Sequence, residues 1–247
     1  MSTRITLAVA GRVLTQIRRD HRTLVMLLVV PCVLISLLWW MFEGEGQPGG
    51  MFDRFGPGLL AMFPFIVMFL VTSVTTLRER SSGTLERLLT MPMGRLDFLV
   101  GYALAFGLLA AVQSALAVAV SVGLLGLDVQ GPVWLLGVVA VADAVLGTAL
   151  GLLVSAFATT EFQAVQFMPA FVLPQILLCG LFVPRTAMPD VLEAVSNVLP
   201  LSYAVDAMQE LVGAADTGEV WRSVAVVGAF ALAALALGAA TLRRRTP

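Results

Sequence analysis

Lysine is missing from the 247 residues, and all 15 basic side chains are arginine. Within these residues there is no P-loop lysine to grip a β/γ-phosphate and no amine for a Schiff base. The usual P-loop route to ATP hydrolysis is therefore closed to them. Charge of either sign is scarce: 13% of residues are charged, about half the share of a soluble domain. The one histidine, His21, stands among Arg18, Arg19 and Arg22, which suits water or lipid headgroups better than a metal. An embedded enzyme needs a constellation of groups that a single surface histidine cannot supply. Cys32 and Cys179 lie inside apolar runs without metal-ligand spacing and read as small hydrophobes. No catalytic residue, metal site or cofactor of the chain's own is expected.

Apolar residues are what the chain has in excess, 59% of the total with a mean hydropathy of +0.94. They gather in runs near the roughly 20 residues that cross a hydrocarbon core about 30 Å thick. The expected fold is an all-α integral membrane protein, a single transmembrane domain over residues 1–247. Six spans are expected at 24–42, 58–77, 96–125, 133–157, 164–183 and 220–242. Residues 4–22 precede them as an amphipathic helix on the membrane surface. Ile5, Leu7, Val9, Val13, Leu14 and Ile17 share one arc, opposite Arg4, Arg12, Arg18, Arg19 and Arg22. The alternative is a charged flank that anchors the first span. The stretch 184–213 is apolar only in short pieces, Val191–Leu199 and Leu201–Val212, broken by Pro184, Pro189 and Pro200. Each piece is too short to cross, so a helical hairpin re-entering the outer leaflet is expected.

Arginine position orients the spans. Arg4, Arg12, Arg18, Arg19 and Arg22, then Arg78, Arg80, Arg87 and Arg95, then Arg243, Arg244 and Arg245 fall on one side. Arg54, Arg185 and Arg222 fall on the other. The positive-inside rule makes the first set cytoplasmic, with both termini inside. Trp39, Trp40, Trp134 and Trp221 all land at the outer interface, where amphipathic rings prefer to sit. An all-arginine basic set suits a bacterial cell membrane and a GC-rich genome.

The loop 78–95 contains Glu79-Arg80-Ser81-Ser82-Gly83-Thr84-Leu85-Glu86-Arg87-Leu88-Leu89-Thr90-Met91-Pro92. It resembles the E-R-x-x-G-T-x-E-x-L-x-x-x-P signature of ABC-2 type transporter permeases, including the daunorubicin-exporter branch. Downstream, Gly180-Leu181-Phe182-Val183-Pro184, Met188-Pro189 and Pro200-Leu201-Ser202-Tyr203-Ala204-Val205-Asp206-Ala207 are similar to that family's outer-side pattern. The chain departs from it at Gly101-Tyr102, Cys179 and Gln209. The resemblance implies the membrane subunit of an ATP-driven exporter of amphiphiles such as drugs, antibiotics or lipids. It implies a coupling helix between spans two and three, with Glu79, Arg80, Gly83, Thr84, Glu86, Arg87 and Pro92 forming the dock for the ATPase. Two copies of a cytosolic ABC ATPase, which hold the ATP and Mg²⁺, and a second permease copy or close relative are the implied partners. Pro184, Pro189, Pro200, Tyr203 and Asp206 are implied as an outer gate. On the residues alone, without the motif, the loop reads as a solvated turn whose charges set orientation.

Asp143 falls near the middle of span four, where a carboxylate costs roughly 2.5–3.5 kcal/mol on insertion scales. Gln113 or Ser114 on span three reaches a similar depth and is the expected hydrogen-bond partner. A structural bond and a proton relay are both open readings. Gly147 and Gly151 form a G-x-x-x-G pattern, for packing within one subunit or between two. Phe63, Met68, Phe69, Phe167 and Phe171 on spans two and five could line a pathway or simply pack. Two rival functions stand beside export. An ion-driven transporter would call for inverted repeats or several buried charges. The other is a membrane anchor that recruits an ATPase without forming a pore.

Overall fold

A backbone immersed in hydrocarbon must satisfy its N–H and C=O groups within its own segment, so apolar runs of this length fold as helices. The computed structural model of the chain describes residues 2–42, 50–82, 95–213 and 217–242, and all regular structure among them is helical. Helix α1 spans Thr3–Arg19, α2 spans His21–Phe42 and α3 spans Met51–Ser81. Helix α4 covers Arg95–Val118 and continues through a π-helical turn at Ala119–Leu124. Helix α5 is Val133–Ser155 and α6 is Glu161–Leu178. A 3₁₀ turn at Arg185–Ala187 leads to α7 (Asp190–Ser196), α8 (Pro200–Gly213) and α9 (Gly218–Leu242).

Among the described residues, five segments are long and apolar enough to cross a membrane: His21–Phe42, Met51–Glu79, Val100–Leu124, Val133–Ser155 and Gly218–Gly238. The remaining expected span, 164–183, falls on α6. That helix has 18 residues, contains Pro169 and Pro174, and carries Gln163, Gln166 and Gln175. At 1.5 Å per residue it is about 27 Å long, just short of the hydrocarbon thickness. It ends at Leu178, and Gly180 turns the chain away with φ +90°, a conformation that costs glycine nothing.

The surface helix expected over 4–22 is divided in the structure. Asp20 accepts the Thr23 backbone N–H at 3.2 Å and the Thr23 hydroxyl at 2.7 Å, an N-cap that starts a new helix at His21. His21 and Arg22 therefore belong to α2. The apolar stripe of α1 is also narrower than expected. Val9, Ala10, Val13 and Ile17 are buried, whereas Leu7 is 64% exposed, because it lies about 160° of helical rotation from Ile5 and faces away. Tyr102, Ala105 and Phe106 of α4 cover the stripe. Gly101 permits this approach, since a Cβ there would stand 2.7 Å from Val9 Cγ1 and 2.9 Å from the Thr6 carbonyl.

The centre of the molecule is α5, with Leu136, Ala140, Ala144 and Ala149 fully buried, and α3 runs along it. The glycine pair is used inside this chain. A Cβ on Gly147 would lie 2.5 Å from the Phe65 carbonyl oxygen, and one on Gly151 would lie 2.5 Å from that of Phe69. Backbone-to-backbone approach of this kind is what small residues supply where lipid provides no hydrophobic drive.

Candidate functional site

Both stems of the motif-bearing segment are bonded to α1. Glu79, one turn from the end of α3, is 5% exposed and receives Arg12 Nη2 at 3.1 Å. Asp97, in the first turn of α4, is 3% exposed and receives the Ser2 backbone N–H at 2.8 Å and the Thr6 hydroxyl at 3.1 Å. One amphipathic helix thus ties the strand of chain leaving α3 to the strand entering α4. Of the residues implied to dock an ATPase, Glu79 is in this clamp. Arg80 lies in α3, with its side chain outside what the structure describes. Gly83, Thr84, Glu86, Arg87 and Pro92 also lie outside the described residues. Sequence reasoning missed Arg12, Thr6 and Asp97. The available signal was an arginine and a threonine six residues apart bordering an otherwise apolar stripe.

A second cluster forms where α6, α7 and α8 meet. Pro184 precedes the 3₁₀ turn, Pro189 precedes α7 and Pro200 opens α8. Proline at a first helical position costs no hydrogen bond. Arg185 draws the cluster together: it donates to the carboxylate of Asp206 and to the side-chain oxygen of Asn197. Its guanidinium stands 5.3 Å from the centre of the Tyr203 ring. The Tyr203 hydroxyl donates to the Asn197 carbonyl at 2.7 Å. Burial raises the Asp206 carboxyl above its ordinary range, and the adjacent guanidinium works against that rise. Glycine at 180 leaves room for this cation, since a Cβ there would meet Arg185 Cγ at 3.3 Å. Tyr203 and Asp206 thus share one cation, Arg185, which sequence reasoning had placed only by its side of the membrane.

The intramembrane polar pair is a correction. Asp143 and Gln113 are fully buried, yet among the described residues neither Asp143 oxygen and neither Gln113 amide atom has a hydrogen-bond partner. Ser114 donates instead to the Ala140 carbonyl at 3.0 Å. The expectation failed because similar depth on two helices does not set the rotation of each about its own axis. The aromatic and methionine residues divide. Met68 and Phe69 are fully buried in the core, and Phe63 and Phe167 are partly buried against it. Phe171 is 52% exposed, with its ring edge-on to Phe167 at 6.3 Å between centroids.

The ABC-2 type transporter family matches residues 5–212, which include the side chains of both clusters. The chain is similar to the probable multidrug ABC transporter permease YbhS of Escherichia coli K12. The two are 29% identical over 156 residues, 63% of this chain and 41% of that protein. It is similar to the linearmycin resistance permease protein LnrN of Bacillus subtilis, 24% identical over 186 residues, 72% of this chain and 48% of the relative. It is also similar to the ABC transporter G family member 20 of Dictyostelium discoideum, 26% identical over 167 residues, 67% of this chain and 23% of the relative. The matches span less than half the length of each relative.

Proposed function

The chain belongs to the ABC-2 type transporter family, and from that premise we propose that it is the membrane permease subunit of an ATP-driven exporter. Hydrolysis belongs to a separate ABC ATPase, which binds the ATP and Mg²⁺. Two permease copies, or this chain with a close relative, would pair to form the pathway, and two ATPase subunits would dock beneath them. The cargo class is an amphiphile: a drug, an antibiotic or a lipid. Topology follows the arginine pattern, with six crossings, counting α6, and both ends in the cytosol of a bacterial cell.

The observation that carries this reading is the clamp by α1. A push on the 83–94 segment reaches α3 and α4 directly, and through Arg12–Glu79 and Thr6–Asp97 it also reaches α1. Docking at Glu86 and Arg87 would therefore move three helices as one body. At the other face, the contacts of Arg185 with Asp206, Asn197 and Tyr203 would hold the α6–α8 connection closed. Their rupture would be the opening step of the outer gate. Phe167 and Phe171 lie on the helix leading to that connection and are the candidates for lining the pathway.

Tagged co-purification from native membranes, with wild type and Glu86→Arg side by side, tests the reading. A P-loop ATPase should accompany the wild type and be lost or uncoupled in the variant. Normal, substrate-stimulated ATPase activity in Glu86→Arg would refute the coupling assignment. Asp143, without a hydrogen-bond partner among the described residues, favours the second reading, ion-driven transport, and full transport by Asp143→Asn would exclude a proton relay there.

A further inference from the structure

The arginines whose side chains the structure describes fall into two groups. Arg12, Arg78, Arg185 and Arg222 each face a carboxylate, and Arg54 lies 5.6 Å from the centre of the Phe55 ring. Arg4, Arg18, Arg19 and Arg22 are exposed and make no ion pair among the described residues. All four lie on α1 or in the first turn of α2. Three of them crowd the break between these helices, where Arg18 and Arg19 end α1 and Arg22 follows His21 into α2. The carboxylate between them, Asp20, caps α2 by accepting from Thr23. Counted against the three guanidiniums, it leaves a surplus of two positive charges. Arg78 and Glu161 neutralise each other. The side chains of this basic face that lie outside the described residues keep the sign: Glu86 is their one acid, against Arg80, Arg87, Arg95, Arg243, Arg244 and Arg245. Glu43 and Glu45 follow the other end of α2, a full span away.

Depth decides what meets this charge. The segment His21–Phe42 is long and apolar enough to cross the membrane, and its apolar run starts at Leu24, so the three guanidiniums stand at the level of the lipid headgroups. The apolar stripe of α1 is spent on Tyr102, Ala105 and Phe106, which leaves charge rather than apolar insertion to hold this end of α1 to a leaflet. We infer that the elbow between α1 and α2 binds anionic phospholipid, whose phosphates accept from Arg18, Arg19 and Arg22. A guanidinium donates two parallel hydrogen bonds to a phosphate, and a basic cluster at the end of a span is where an anionic headgroup is held. Arg12–Glu79 and Thr6–Asp97 tie the same helix to both stems of the motif-bearing segment, so lipid held at the elbow also fixes α1 against them. As a control on coupling this rests on the exporter reading, but as a lipid site it stands apart from it.

The test uses the full chain in phosphatidylcholine nanodiscs, which present both leaflets, so the direction of membrane insertion does not enter. A phosphatidylglycerol probe with a diazirine near the top of one acyl chain is compared with a phosphatidylcholine probe of the same chains, and adducts are mapped by mass spectrometry. One guanidinium at an anionic headgroup gives about a fivefold preference, so two net charges should give phosphatidylglycerol roughly a twentyfold excess of adducts over residues 18–28. Arg18→Gln, Arg19→Gln and Arg22→Gln combined should abolish the excess. Arg18→Lys, Arg19→Lys and Arg22→Lys combined should keep most of it, and Arg222→Gln, at the opposite membrane face, should leave it unchanged. Equal labelling of the wild type by the two probes, or an excess that survives the glutamine variant, would overturn the inference and leave these charges to water. Loss of the excess in the glutamine and lysine variants alike would also overturn it, because charge would then not be what binds. ATPase association measured on the same preparations separates the two readings. A phosphatidylglycerol excess without an ATPase sinks only the exporter reading, and an associated ATPase without that excess sinks only this one.

Discussion

Replacing Arg12 with alanine would leave the Glu79 carboxyl without its cation at a place where water barely reaches. Its side chain is 6% exposed, whereas that of Arg12 is 34% exposed. Breaking a fully buried pair costs about 3–5 kcal/mol, and an exposed pair contributes about 0–1 kcal/mol. With one partner buried and the other a third open to solvent, the expected loss for Arg12→Ala is about 2–3 kcal/mol. Glu79→Gln removes the charge but keeps an acceptor for the guanidinium, so about 1 kcal/mol is expected. In the double variant no charge is stranded, and the loss should stay near 1 kcal/mol, a coupling of about 2–3 kcal/mol. For a chain of this size 1 kcal/mol corresponds to about 2–4 °C in Tm. Arg12→Ala should therefore unfold roughly 5–10 °C below wild type in detergent, and Glu79→Gln should rescue most of that difference. If Arg12→Ala lowers Tm equally in the wild-type and Glu79→Gln backgrounds, the two side chains are not coupled. The clamp between α1 and the stem of the loop would then be refuted.

Three further outcomes follow from the packing and charge described above. Gly151→Ala places a methyl 2.5 Å from the Phe69 carbonyl oxygen, a backbone atom that cannot turn aside. It should cost about 1–3 kcal/mol, while Gly137→Ala, with open space around it, should change Tm little in the same assay. Asp143→Leu exchanges a buried, unpartnered carboxyl for an apolar side chain of similar size and should leave Tm unchanged or raised; a large fall would mean that Asp143 has a partner in the assembled protein. Arg185→Gln removes the cation that opposes the burial-driven rise of the Asp206 carboxyl. A raised carboxyl favours the protonated fold, so stability is fullest at acid pH and declines as pH climbs above the ordinary value of 3.8. The decline between acid and neutral pH should be steeper in Arg185→Gln than in wild type, and parallel Tm-versus-pH curves would refute the contact.

The divided fate of particular residues shows what could be read in advance. Apolar runs such as 133–157 announce helices because hydropathy and length are local properties, tested against a solvent of fixed thickness. The motif around Gly83 and the proline-broken stretch after Leu178 were equally visible, since glycine and proline restrict the chain by their own covalent form. The cap at Asp20 was legible too, in an aspartate followed three residues later by threonine, but it was hidden by treating 4–22 as one helix. Depth along a helix can be counted, which is why Asp143 and Gln113 were placed at one level. Rotation about the helix axis cannot be counted in the same way, and it left both without a partner.

The sequence by itself determined that this chain is helical and membrane-spanning, that it carries the family's loop motif, and that its residues hold no lysine for P-loop hydrolysis. Each of these depends on residue type and spacing along one segment. Only the tertiary structure decided that α1 lies across both stems of the loop, that Gly147 and Gly151 serve contacts within this chain, and that Arg185 joins Asp206 to Tyr203. Those outcomes depend on how helices far apart in sequence turn and approach one another, and close packing selects among arrangements that hydropathy leaves equal.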